Sequence, residues 1–146
     1  MEWFDTFLNS VVTDIFRVDY TSDYQFDRPV AVYLAIGKES GLLFGDAVFG
    51  DSIRFEISTL QEVIEEYGTD IGEANLSSLE EGDRLNLFVG QPLTKIDASE
   101  FEDERISGKS FSIKPAGYKR IEIESGLNRL IYCQGKDKCL FINEEA

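Results

Sequence analysis

Carboxylates are the reactive groups this chain has in quantity: 28 Asp and Glu stand against 14 Lys and Arg, with two cysteines and no histidine. The missing imidazole excludes Ser-His-Asp and Cys-His nucleophiles, histidine proton shuttles and nearly every zinc arrangement. What remains is carboxylate or lysine chemistry, such as an acid and base pair at glycosidase-like separation, and no spacing in the chain marks such a pair.

Two acidic clusters do have a pattern. Glu62, Glu65 and Glu66 sit on a short helical segment followed by Asp70 and Glu73, while Glu100, Glu102, Asp103 and Glu104 surround Phe101. Carboxylates held at intervals on a folded scaffold imitate nucleic-acid phosphates and fit the basic groove of a protein that binds nucleic acid. The same clusters also serve many proteins as plain solvated surface. The partner-binding candidates are therefore Glu62, Glu65, Glu66, Glu100, Glu102, Asp103 and Glu104.

Other chemical signals fail on spacing. Ser107-Gly108-Lys109-Ser110 resembles the end of a phosphate-binding loop, but Asp103 stands where that loop needs its first glycine. The acidic stretches 46–56 and 97–104 do not match a calcium loop. Cys133 and Cys139 would face each other if 135–137 form a three-residue hairpin loop, which allows either a cross-strand disulfide or two reduced thiols. Without histidine they supply only half of a zinc tetrahedron. The expectation is a chain that folds with no cofactor and no metal.

Charge is unevenly distributed. Residues 1–104 hold 23 acidic and 6 basic side chains, a net of −17, whereas 105–143 hold 8 basic and 3 acidic, a net of +5; Glu144 and Glu145 bring the total to −14. Such a field repels nucleic acid and anionic membranes and attracts basic protein surfaces. The basic third either pairs with the protein's own acids or with the acidic part of another copy; stacking of bases on Phe111, Tyr118 and Tyr132 is opposed by the overall charge.

The elements that must position these groups are legible in outline. At 146 residues, 42% hydrophobic, the chain is expected to form one domain over residues 1–146. Trp3, Phe4, Phe7, Leu8, Val11, Val12, Ile15 and Phe16 repeat as pairs every four residues, which predicts an amphipathic N-terminal helix with Asp5, Asn9, Asp14 and Arg17 on its wet side. Val30 to Ile36 reads as a central strand covered on both faces, followed by strands at 42–49 and 52–57 with a turn at Gly50-Asp51. Ser58 and Gln61 have capping-box spacing for a nine-residue helix ending near Gly68. Residues 69–83 read as a loop, 84–89 as a strand, and 90–108 as irregular. Strands at 110–114, 119–124, 128–133 and 138–143 follow, separated by turns at 115–117, 125–126 and 135–137.

The expected fold class is thus α+β: a mostly antiparallel sheet or partly closed barrel with an N-terminal amphipathic helix and one short acidic helix. The expected function is non-enzymatic: a small acidic inhibitor that masks a basic, nucleic-acid-binding surface of a target protein, of the toxin-immunity or phage anti-defence kind. Its partner would be a basic protein, with no direct nucleic acid and no membrane. The longest apolar run is seven residues and the start lacks a basic-then-apolar leader, which points to the cytoplasm. The alternatives are an assembly protein forming a homo-oligomer through complementary acidic and basic surfaces, and a hydrolase using two carboxylates.

Overall fold

The N-terminal apolar stripe is divided between two elements. In the computed structural model, which describes residues 2–20, 27–46, 52–67, 74–100, 117–134 and 138–146, a 3-10 helix spans Trp3–Phe7 and strand β1 spans Val12–Tyr20. Asn9 adopts a φ of 69°, and the backbone of residues 9–12 bonds to residues 90–93 instead of continuing a helix. Val11, Val12, Thr13, Ile15 and Val18 supply the β-branched density that favours a strand once such a partner exists. This corrects the expected N-terminal amphipathic helix, and with it the two-helix α+β architecture. The same pairs of apolar residues satisfy both periods over so short a stretch.

A strand period also takes Arg17 off the wet side, while Asn9 and Asp14 stay exposed. Ile15, Arg17 and Asp19 alternate with Phe16 and Val18, so Arg17, expected to face water, is 1% exposed. Phe4, Val12 and Ile15 join the main core, while Val11 is exposed.

The remaining strands are β2 Ala31–Ile36, β3 Ser40–Asp46, β4 Ile53–Ser58, β5 Ala74–Ser78, β6 Lys95–Glu100, β7 Tyr118–Ser125, β8 Asn128–Cys133 and β9 Leu140–Ile142. Every strand pairing among the described residues is antiparallel, in the order β5-β1-β2-β3-β4-β7-β8-β9 with β6 added to β7. Among the described residues β4 and β7 pair in register only at Ile53 and Tyr118, the Phe55 and Tyr118 rings pack edge to face beside that pair, and Trp3 seals the seam by donating its indole N–H to the Tyr118 hydroxyl at 3.2 Å. The sheet curls into a half-barrel. Phe44 of β3 lies 5.4 Å, centroid to centroid, from Tyr132 of β8 across the interior, and the Tyr132 hydroxyl donates to the Pro29 carbonyl just before β2.

Three segments depart from the expected elements. Residues 84–89 alternate like a strand but form a 3-10 helix over Arg84–Phe88, because Asp83 caps it at the Leu85 N–H and burying Leu85 and Phe88 needs a three-residue period. β5 lies in the expected loop and β6 in the expected irregular stretch; both are strands because β1 and β7 offer edges to pair with. The expected strand at 110–114 and the turns at 50–51 and 135–137 lie outside the described residues, as do Pro115, Ala116 and the Gly68 cap.

One α-helix is described, α1 at Leu60–Tyr67. Its cap is one residue later than the spacing implies: Thr59 Oγ1 accepts from the Glu62 N–H, and Glu62 accepts from the Thr59 N–H, both at 3.1 Å. Val63, with Leu60 and Tyr67, covers the outer face of the sheet over Val18, Ala31, Tyr33 and Leu43. β2 is therefore buried on both faces, while Ile64 of α1 is exposed.

Candidate interaction surface

α1 raises the first acidic cluster above the convex face of β2 to β4, and its three carboxylates are not equivalent. Glu66 is held by Arg54 of β4, whose guanidinium also binds Glu56 and donates to the Tyr67 hydroxyl. That arginine is raised above its ordinary pKa chiefly by the hydrogen bond to Glu66. Glu62 is spent partly on the capping box, and Glu65 accepts from Gln61 at 3.2 Å. Glu62 and Glu65 are exposed and have no ion-pair partner among the described residues, so they are the projecting negative charges of the helix. Glu100 ends β6 opposite Tyr118. Glu102, Asp103 and Glu104 lie outside the described residues, as do Asp70, Glu73 and the 107–110 segment; the described part of the first cluster is Glu62, Glu65 and Glu66 on α1.

Glu62 also acts inward. Tyr33 is buried beneath α1 and donates to the Ser58 carbonyl at 3.0 Å; burial, and secondarily the charge of Glu62, raise its pKa above 10. A phenol whose folded pKa exceeds its unfolded value supports folding fully below the unfolded pKa and stops doing so as pH rises through the folded one. Urea titrations should accordingly show stability falling above about pH 10, more steeply than in Tyr33→Phe. An identical alkaline limb in that variant would assign the loss elsewhere.

Sequence reasoning missed the charged groups that the fold buries. Arg17 of β1 makes a two-pronged contact with Asp19, at 2.9 and 2.8 Å, and a third bond at 2.9 Å to Asp83, whose other oxygen caps the following 3-10 helix. Burial alone would lower the Arg17 pKa, but the hydrogen bonds to Asp19 and Asp83 outweigh it and hold the pKa raised. On the outer face of β7, Glu122 is surrounded by Lys95, Arg120 and Arg129. The only local sign of either group is a charge pair at i and i+2 on a strand, Arg17 with Asp19 and Arg120 with Glu122, which one face of a strand brings together. Lys138 pairs with Asp27 and Glu144.

The two cysteines stand next to each other in register without a disulfide. The Cys133 N–H bonds to the Cys139 carbonyl at 2.9 Å, but the Cys139 and Leu140 N–H groups both turn to the Asp27 carbonyl. The Cys139 sulfur consequently enters the core, 3.7 Å from the carbonyls of Asp27 and Pro29. Cys133 lies near Arg120, and burial pushes its thiol above the usual range. Among the described residues no group of three Cys, Asp or Glu is placed to hold a metal ion, and no helix is long and apolar enough to cross a membrane. No protein-family model matches this chain, and neither a curated protein nor a solved structure is significantly similar to it.

Proposed function

We propose that the protein is a non-enzymatic inhibitor that docks its acidic surface onto a basic surface of a target protein in the cytoplasm, in the manner of immunity or anti-defence proteins. The observation that carries this reading is how the charges divide. Arg17, Arg54, Lys95, Arg120, Arg129 and Lys138 all face acidic partners within the fold, while Glu62 and Glu65 project, with no cation beside them among the described residues, from a helix anchored on the sheet. Rigid projection matters because a charge held in place loses little side-chain freedom on binding. Glu66 contributes less, being already committed to Arg54. Glu100, Glu102, Asp103 and Glu104 remain the second contact proposed.

The test is capture of the partner from a native lysate and its identification by mass, repeated with Glu62→Lys/Glu65→Lys. The expected result is loss of the captured partner, with at least tenfold weaker binding and a shallower salt dependence, at unchanged thermal stability. Undiminished capture after reversal of both acidic clusters would end this reading.

A second reading, assembly of identical copies, draws support from the guanidiniums of Arg120 and Arg129, which remain partly exposed beside Glu122 and are opposite in sign to α1. Light scattering at two salt concentrations separates the two: an oligomer that dissociates in salt supports assembly, and a monomer at both supports the inhibitor.

A further inference from the structure

Around the start of β1 and the end of β7, three segments lack charged side chains. Residues 6–13, 85–94 and 125–128 contain no Asp, Glu, Lys or Arg, in a chain that is 29% charged. The fold ties these segments together. The Asn9 N–H bonds to the Leu93 carbonyl at 2.7 Å, the Leu93 N–H to the Ser10 carbonyl at 2.9 Å, and the Val12 N–H to the Gln91 carbonyl at 3.0 Å. Val11 and Pro92 form a β-bridge, and the Ser125 hydroxyl donates to the Pro92 carbonyl at 2.6 Å. Pro92 thus stands between Val11 on one side and the turn from β7 to β8 on the other, with Leu127 at the tip of that turn.

What these segments show to solvent is apolar or neutral. Leu127 is fully exposed, Val11 is 46% exposed, and Asn9, Thr13, Gln91 and Pro92 are exposed with them. Charged side chains resume at flanking positions such as Asp14, Lys95, Glu124 and Arg129. A single exposed leucine is ordinary surface, but exposed apolar side chains in a setting depleted of charge are the mark of the centre of a protein interface. The hydrogen bonds hold the backbone of this patch in place before any contact, so association has little left to order.

We propose that this patch is a self-association surface, on which a second copy of the chain docks through the same residues about a two-fold axis. Charge selects that occupant. At a net charge of −14 two copies repel each other, and a contact through α1 would set Glu62 and Glu65 against their own kind. A two-fold contact lays a patch on itself, so this one brings no like charges face to face. A basic partner finds no carboxylate within these segments to pair with, whereas a second copy meets neutral polar groups and apolar side chains with the same. The proposal does not depend on the acidic surface having a partner. It also differs from assembly through acidic and basic surfaces in the sign of its salt response: salt screens the mutual repulsion and leaves apolar contact intact, so association tightens as salt rises.

The test is sedimentation velocity of the full chain from about 10 µM to about 1 mM, in about 0.1 M and about 1 M NaCl, with concentration-dependent 15N NMR shifts to place the contact. The expected result is a monomer and dimer in equilibrium, roughly threefold tighter or more at the higher salt, with shifts centred on residues 9–13, 90–94 and 125–128. Leu127→Glu and Val11→Lys should each weaken association roughly tenfold. Their monomer spectra should otherwise stay unchanged, because both side chains reach solvent. Ile64→Lys, the same kind of change at an exposed residue of α1, should not weaken it. A monomer at the highest concentration in high salt would overturn the proposal and leave the patch to a different protein. A dimer that loosens in salt, shifts centred elsewhere, or association indifferent to both Leu127→Glu and Val11→Lys would overturn it as well.

Discussion

Replacing Arg17 by methionine is expected to lower the free energy of unfolding by about 3–5 kcal/mol, the usual cost of removing one partner from a buried ion pair. The reason lies in what would stay behind. Asp19 and Asp83 are almost as buried as Arg17, and Asp83 has only one oxygen engaged at the helix cap. Methionine fills much of the volume but leaves two carboxylates in the core with little to neutralise them, and desolvating an unpaired charge costs more than the packing of a thioether returns. Arg17→Lys should recover only part of the loss, because a single ammonium cannot hold Asp19 with two prongs and reach Asp83 as well. Urea denaturation of both variants at pH 7 checks these statements; a loss under about 1 kcal/mol in Arg17→Met would mean that the carboxylates find other partners.

Gly41→Ala is expected to cost about 3 kcal/mol, at the upper end of what overpacking usually costs. Tyr33 of β2 lies across β3 above Gly41 to donate to the Ser58 carbonyl on β4, the strand residue paired with Gly41. A Cβ at position 41 would stand 2.3 Å from the Leu34 carbonyl oxygen and 2.7 Å from the Tyr33 ring. Neither neighbour yields cheaply: one is backbone in a central strand, and the other is a buried ring pinned between the sheet and α1. Gly45 repeats the situation further along β3, where a Cβ would come within 2.5 Å of the Val30 carbonyl oxygen. The two glycines let β2 and β3 approach closely enough for the sheet to curl around its aromatic core. Thermal unfolding of Gly41→Ala checks this, and a change under about 0.5 kcal/mol would show that the strand relaxes freely.

Local patterns were legible wherever one period and one propensity agreed. Ala31–Ile36, a run of strand formers covered on both faces, and Ile53–Ser58, where Ile53 and Phe55 alternate with polar residues, lie within a residue of where the sequence puts them. So do α1 and the hairpin of β7 and β8 through Gly126 and Leu127. The pattern misled where two short elements of different period abut, as in Trp3–Phe7 and β1, or where an edge strand such as Ala74–Ser78 owes its conformation to a neighbour and not to its own residues. Of the candidate contact residues, Glu62 and Glu65 project from α1, but no local rule could tell that Arg54 would engage Glu66, since the two meet through packing of a helix on a strand.

Composition alone determined that imidazole chemistry is absent and that acid outweighs base, because both follow from counting side chains. The tertiary structure decided which of those charges still face outward. Burial set Arg17, Asp19 and Asp83 apart from the solvent, and strand register gathered Lys95, Arg120 and Arg129 on Glu122. Charge is additive along a chain, but its cancellation depends on distance in space, and only the folded sheet sets those distances.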